Sequence, residues 1–318
     1  MRYVRQKMIQ LVIVVIAVTF LTFIAINLLP GDPAIFKAGP GATDAQVAQV
    51  RHDLGLDKPI PVQYGIWLKK MATLDFGVSL GFNTPVSELV RNRLPVTLVV
   101  LLYAEIMSMI VAIPLGVFSA YRAGSAFDRG SNTVAFALLS VPNYIIGVVL
   151  LYFFAVRWGW FPAISNQVSL FDNPVEHFKG YFLPALTLAV AQVAIYTRLL
   201  RTDMIATLQM DFITMARAKG MPTRTILFRH AMRPSLFSLI TASAVNIGAL
   251  IGGAVIVEQI FALPGMGQLT VEAIGRRDFP VVQVCVTIFA VGFVFVNFVV
   301  DVAYAFIDPR IRHARALS

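Results

Sequence analysis

Six stretches of this chain run for eighteen residues or more with almost no charge. Met8 to Gly31 has none, and Leu94 to Tyr121 has only Glu105. Gly130 to Val156, Gly180 to Thr197, Pro234 to Val257 and Phe279 to Val300 are uncharged. Each can cross a hydrocarbon core of about 30 Å as a helix rising about 1.5 Å per residue. Apolar and polar residues do not alternate as they do in barrel strands, so a β-barrel is not expected. The pattern predicts an all-α integral membrane protein with six transmembrane helices.

The links between the runs are uneven. The first run, residues 1–30, has a basic start, but its apolar stretch is longer than a signal peptide's and no small-x-small site follows. Pro30-Gly31-Asp32-Pro33 ends it as a retained helix. Residues 31–93 form the one long link and are expected outside the membrane. Within it, Thr43 and Gln46 have the spacing of a capping box ahead of a helix. A second helical pattern covers Pro59 to Leu74, with Tyr64 and Trp67 as interface anchors. Residues 94–307 hold the other five runs, and residues 308–318 form a tail.

Composition agrees with the runs. The chain has 318 residues, of which 58% are hydrophobic and 14% charged, against about 25% charged in soluble domains. Lys and Arg set the orientation. The N-terminus, the 121–130 link, the 198–233 link and the C-terminus hold fifteen of the 26 basic residues. These segments lie on one side if all six runs span, so both termini are expected in the cytoplasm. The net charge of +9 follows from this topology, and no soluble basic domain is present to suggest nucleic acid.

Candidate chemistry is sparse. No G-x-x-x-x-G-K-[ST] phosphate loop is present, so the chain is not expected to bind ATP or Mg²⁺ itself. The four histidines are scattered and none sits in H-E-x-x-H. Cys285 is single, which excludes an internal disulfide, and reads as a small packing residue. Glu105 lies mid-run and is the candidate for a transport pathway, with helix–helix hydrogen bonding as the alternative. Glu258 and Asp301 lie near run ends and read as interfacial.

The link before the fifth run carries the most information. Asp211-Phe212-Ile213-Thr214-Met215-Ala216-Arg217-Ala218-Lys219-Gly220 begins as a short helix with Phe212, Met215 and Ala216 on one face. Gly220 and Pro222 stop it, with Gly220 expected in the left-handed region. Thr223 is placed to cap a second helix containing Ile226, Leu227 and Phe228. The residues alone leave a rigid lever and a plain connector both open.

Several motifs in order make the chain resemble the permease subunits of peptide-type ABC importers, the dipeptide, oligopeptide and nickel group. They are Leu29-Pro30-Gly31-Asp32-Pro33, Leu54-Gly55-Leu56-Asp57-Lys58-Pro59, Asp75-Phe76-Gly77-Val78-Ser79 and Leu94-Pro95-x-Thr97. The Asp211–Gly220 segment follows, with Arg229-His230-Ala231-Met232-Arg233. Then come Phe261-x-x-Pro264-Gly265-Met266-Gly267, Arg276 to Gln283, and Asp308-Pro309-Arg310-Ile311-Arg312.

The resemblance implies a type I ABC importer permease fold. It also implies a second, similar permease, two cytoplasmic ATPase subunits that hold ATP and Mg²⁺, and an extracytoplasmic solute-binding protein. Residues of about 204–233 are then the coupling loop, with Asp211, Thr214, Met215, Ala216, Arg217, Ala218, Lys219 and Gly220 at the ATPase groove. The chain departs from the general family loop. Thr214-Met215-Ala216 replace Glu-Ala-Ala, and His230 and Met232-Arg233 stand where Ile and Leu-Pro are usual. Peptides are the implied solute, with nickel chelates or glutathione as alternatives. A different class, an ion-driven secondary carrier, predicts transport by this chain alone. An intramembrane enzyme predicts an acid–base pair at midplane, which the sequence does not show.

Overall fold

The computed structural model describes residues 2–28, 32–39, 41–53, 55–165 and 168–307. Its helices in chain order are α1 (Arg2–Asn27), α2 (Pro33–Ala38), α3 (Asp44–Asp53), α4 (Ile60–Ala72) and α5 (Val86–Tyr121). Next are α6 (Ala126–Ser140), α7 (Asn143–Leu150), α8 (Pro174–Leu208), α9 (Asp211–Ala218) and α10 (Thr223–Thr225). The last three are α11 (Met232–Ile260), α12 (Met266–Gly275) and α13 (Phe279–Ile307). Wider, π-helical turns extend α7 over Leu151–Arg157 and join α10 to α11 over Ile226–Ala231. Among the described residues there is no strand beyond one isolated bridge, Val78 to Pro85. The Leu29–Gly31 and Asp308–Arg312 motifs, Leu54, the 308–318 tail and the Asp301 side chain lie outside the described residues.

Among the described residues, four helices are long and apolar enough to cross a membrane unbroken: Arg5–Ala25 within α1, α5, α8, and Phe279–Val300 within α13. The other two expected spans are bent. Ala126–Ser140 and Asn143–Arg157 meet at 97°, and Thr223–Gly248 and Leu250–Ile260 at 53°. The first bend has a clear cause. Pro142 lacks an N–H and disfavours helical dihedrals in the residue before it. Val141 accordingly sits extended at φ −95°, ψ 123°. The second falls at Gly248, a residue type at which helices bend readily.

The chain divides into two compact units, Met1–Val96 with Pro264–Ser318, and Thr97–Leu263. In the first, Val86 and Val90 pack with Met266, Leu269 and Ala273 of α12 and with Val281, Val284 and Cys285 of α13. Cys285 is buried there as a packing residue. The expected capping box forms: Thr43 N donates to Gln46 Oε1 at 2.8 Å, and Gln46 N to Thr43 Oγ1 at 3.4 Å. His52 hydrogen-bonds Asp57 at 2.8 Å and holds that exposed carboxyl below its usual range.

Tyr64 and Trp67 join α4 to α1. Tyr64 Oη stands 2.9 Å from Thr19 Oγ1 and donates to the Ile16 carbonyl, while its ring meets Phe20 and Phe23 edge-on. Trp67 packs on Phe23. The two rings therefore fasten α4 to α1, because a phenol at helix-contact distance finds protein acceptors.

In the second unit, Ala112, Val117 and Ala120 of α5 pack with Tyr196, Leu200 and Met204 of α8. Close approach to α8 needs small residues. A Cβ at Gly116 would meet Leu200 at 3.0 Å, and one at Gly147 would meet Thr187 at 3.0 Å.

Candidate functional site

Helix α9 is short, and its two sides differ. Ile213 and Ala216 are buried in the second unit's core against neighbours that include Met204, Ile226 and Leu227. Phe212 and Met215 are exposed, 42% and 58%. Asp211, Thr214, Arg217, Ala218, Lys219 and Gly220 are exposed as well. The shared face expected for Phe212, Met215 and Ala216 is thus split. Ala216 pairs with Ile213, three residues earlier, on the inner side, and Phe212 and Met215 form the outer one.

The turn after α9 is as tight as its glycine predicts. Gly220 has φ 73°. Gly220 N donates to the Arg217 carbonyl at 2.9 Å, and Met221 N to the Ala216 carbonyl at 3.2 Å. These bonds satisfy the last carbonyls of the helix in the manner of a left-handed cap. A Cβ at Gly220 would meet nothing within 4 Å, so only the backbone demands glycine. Thr223 does not cap the next helix. Pro222 occupies the cap position and Thr223 is the first helical residue, without a side-chain cap bond. Pro222 is extended there, at φ −64° and ψ 141°, and has no N–H that would need a partner.

The carboxylates tell a second story. Tyr196 Oη donates to Glu105 Oε2 at 3.1 Å. Ser243 stands beside the carboxylate and Asn246 beside the phenol, so α5, α8 and α11 converge on one polar cluster. Glu258, near the end of its run, is fully buried in protein and accepts from Thr97 Oγ1 at 2.6 Å. Thr97 closes the Leu94-Pro95-x-Thr97 motif, and this hydrogen bond gives the motif its physical reason.

Asp278 does the same for two other motifs. It is fully buried and accepts from Ser79 Oγ, from Leu80 N at 3.2 Å and from Gly81 N at 2.9 Å. Arg276 donates to the Gly81 carbonyl at 3.2 Å and lies 4.3 Å over the Phe82 ring. Gly77-Val78-Ser79-Leu80-Gly81 also has the Gly-x-Ser-x-Gly spacing of a hydrolase nucleophile elbow. An elbow needs an exposed hydroxyl, whereas Ser79 is 1% exposed and bound to Asp278.

Asp128, three residues after the cap Ser125, joins two helices. It caps its own neighbourhood, accepting from Gly124 N at 2.8 Å and Asn132 Nδ2 at 2.9 Å. Arg201 of α8 grips it with two bonds, at 2.5 Å and 2.7 Å. In the sequence, Arg201 counts only as a marker of orientation. Its fork matches a carboxylate geometrically, and a distance of 73 residues hides the pairing.

Comparison with known proteins decides the family. Residues 112–313 match the binding-protein-dependent transport system inner membrane component, and residues 1–101 match the N-terminal region described for such components. The chain belongs to this family of inner-membrane transport components. A putative peptide transport system permease protein of Brucella abortus (strain 2308) is 40% identical over 97% of this chain and 98% of its own length. An oligopeptide transport system permease protein of Bacillus subtilis (strain 168) is 37% identical over 98% of this chain and 99% of its own length. A glutathione transport system permease protein of Salmonella choleraesuis (strain SC-B67) is 33% identical over 98% and 99%.

Among solved structures, the MetNI methionine ABC transporter in inward-facing conformations matches with a TM-score of 0.59 at 17% identity. The match covers 70% of this chain and 98% of the other. It shows the fold alone, that of a type I ABC importer permease. The family's members are transport subunits that span the membrane, and the chain is one of them. Among the described residues no cluster of His, Cys, Asp and Glu could hold a metal ion.

Proposed function

We propose that this chain is one of two permease subunits of an ATP-driven importer of di- or oligopeptides. A second, similar permease completes the pathway. Two ATPase subunits bind at the cytoplasmic side and hold the ATP and Mg²⁺, and an extracytoplasmic binding protein delivers the solute. Both termini and the 204–233 coupling loop face the cytoplasm, in keeping with the bias of basic residues.

The observation that supports this best is the two-sided build of α9. Ile213 and Ala216 fix it to the second unit's core, while Phe212 and Met215 face outward. A push on that outer side is passed to Met204 and Leu200 of α8 through packed side chains, which resist deformation. ATP-driven closure of the ATPase subunits can thereby move membrane helices, and alternating access follows from two such packings. Glu105, between α5, α8 and α11, is the candidate for the pathway and would move with α8. The peptide assignment follows the relatives named for peptide and oligopeptide transport.

Reconstitution tests the reading. Proteoliposomes holding this chain, the second permease and the ATPase subunits, with binding protein and a labelled peptide, should take up peptide only with ATP. Uptake by this chain alone on an ion gradient would make it a secondary carrier.

A further inference from the structure

Beside the coupling helix lies an open groove of about 390 Å³, lined by Arg224, Thr225, Phe228, Arg229 and Arg233. All three arginines are exposed, and among the described residues none of them is in an ion pair. Their alignment comes from the backbone. On an α-helix, Arg224 and Arg229 would point about 140° apart, given 3.6 residues per turn. The π-helical turn over Ile226–Ala231 covers most of the interval and, with more residues per turn, narrows that angle so that both reach one groove. Arg233, four residues after Arg229, then continues the row along α11. π-turns are rare and cluster at functional sites, and this one converts scattered arginines into a single basic groove.

The place of the groove points to its occupant. Arg233 immediately precedes the apolar run that starts at Pro234, so the row ends where the membrane begins. Phe228 lines the groove at 38% exposure, and Phe237 is 37% exposed three residues past Pro234. Cationic guanidinium groups above exposed aromatic rings at a helix's entry into the bilayer match an anionic lipid, phosphate at the top and acyl chain below. We propose that Arg224, Arg229 and Arg233 bind the phosphate of an anionic phospholipid of the cytoplasmic leaflet. The inference rests on the cytoplasmic placement of residues 204–233 given above. A lipid there would tether the second half of the coupling loop to the bilayer, so that movement of α9 is passed to α11 rather than lost by sliding.

Native mass spectrometry of the assembled transporter, extracted with its lipids, reads this directly and needs no ATP turnover. The wild type should retain phosphatidylglycerol in preference to phosphatidylcholine. Each Arg→Gln change should lower that retention roughly fivefold, at about 1 kcal/mol per charge near a lipid surface. The triple Arg224→Lys, Arg229→Lys, Arg233→Lys variant should keep most of it. Single Arg229→Gln serves if another of these variants fails to insert. Equal retention by the wild type and Arg229→Gln overturns the proposal. So does displacement of the lipid by inorganic phosphate, which would mark a free-anion site. Loss of the ATPase subunits from the Arg229→Gln complex with lipid retention unchanged would make the groove a protein interface instead.

Discussion

Asp278 in the first unit and α9 in the second are both parts of motifs that the family resemblance highlights, yet they are built in opposite ways. Asp278 is closed. Its carboxylate is fully buried and its oxygens are filled by Ser79, Leu80 and Gly81 of this same chain. Helix α9 is open. One side is packed, and the other leaves Phe212 and Met215 exposed. A motif that closes on its own chain holds the fold together, whereas one that stays open leaves binding surface for something else.

The largest expected effect lies at the closed end. Asp278→Ala leaves one hydroxyl and two backbone N–H groups without their acceptor. Each unsatisfied buried donor costs about 1–3 kcal/mol, so most of the protein should be lost from the membrane fraction on immunoblots. Asp278→Asn, which keeps one acceptor oxygen, should fall between. Wild-type abundance of Asp278→Ala would show that the carboxylate is not structural.

At α9 the two sides should give different failures. Ala216→Trp overfills the second unit's core and should lower membrane abundance, at about 1–3 kcal/mol for overpacking. Met215→Asp should leave abundance intact and abolish peptide uptake. If both variants are abundant and both transport, the two-sided reading of α9 fails. Gly220→Val comes next. A β-branched residue at φ 73° costs roughly 1–2 kcal/mol of backbone strain, and open space around the site removes any steric addition. Reduced coupling of ATPase activity to uptake, with modest loss of abundance, is expected. The smallest effect is Ala262→Gly. Ala262 ends α11 at φ 49° and is exposed, so glycine should raise the thermal midpoint slightly, as relief of about 1–2 kcal/mol of left-handed strain exceeds the roughly 0.4–1 kcal/mol that glycine adds to unfolded-chain entropy. A lowered midpoint would contradict the backbone argument.

How much of this the sequence discloses depends on the range of the interaction. Local rules work: Thr43 and Gln46 form their cap, Gly220 turns left-handed, and the apolar runs become helices. What joins distant positions stays hidden. Nothing near Glu258 in the sequence announces its burial, because its partner Thr97 lies 161 positions away. The pairings of Asp128 with Arg201 and of Ser79 with Asp278 have no local signature. Pro142 was visible, yet a proline inside an apolar run does not fix the outcome: α8 continues through Pro184, while Pro142 produces a 97° bend. The packing around each proline decides. The face of α9 was misassigned for a related reason. Three-and-four spacing links Phe212 to Met215 and to Ala216 equally, and only Ile213, which packs inward, breaks the tie.

The measurement closest to the central claim is site-directed cross-linking at α9 in a Cys285→Ala background. Met215→Cys and Ile213→Cys are compared in membranes that hold the complete transporter. The account predicts that Met215→Cys cross-links to an ATPase subunit, with a yield that changes when ATP is added, and that Ile213→Cys does not. A transporter that takes up peptide with ATP while Met215→Cys never reaches an ATPase subunit would contradict it.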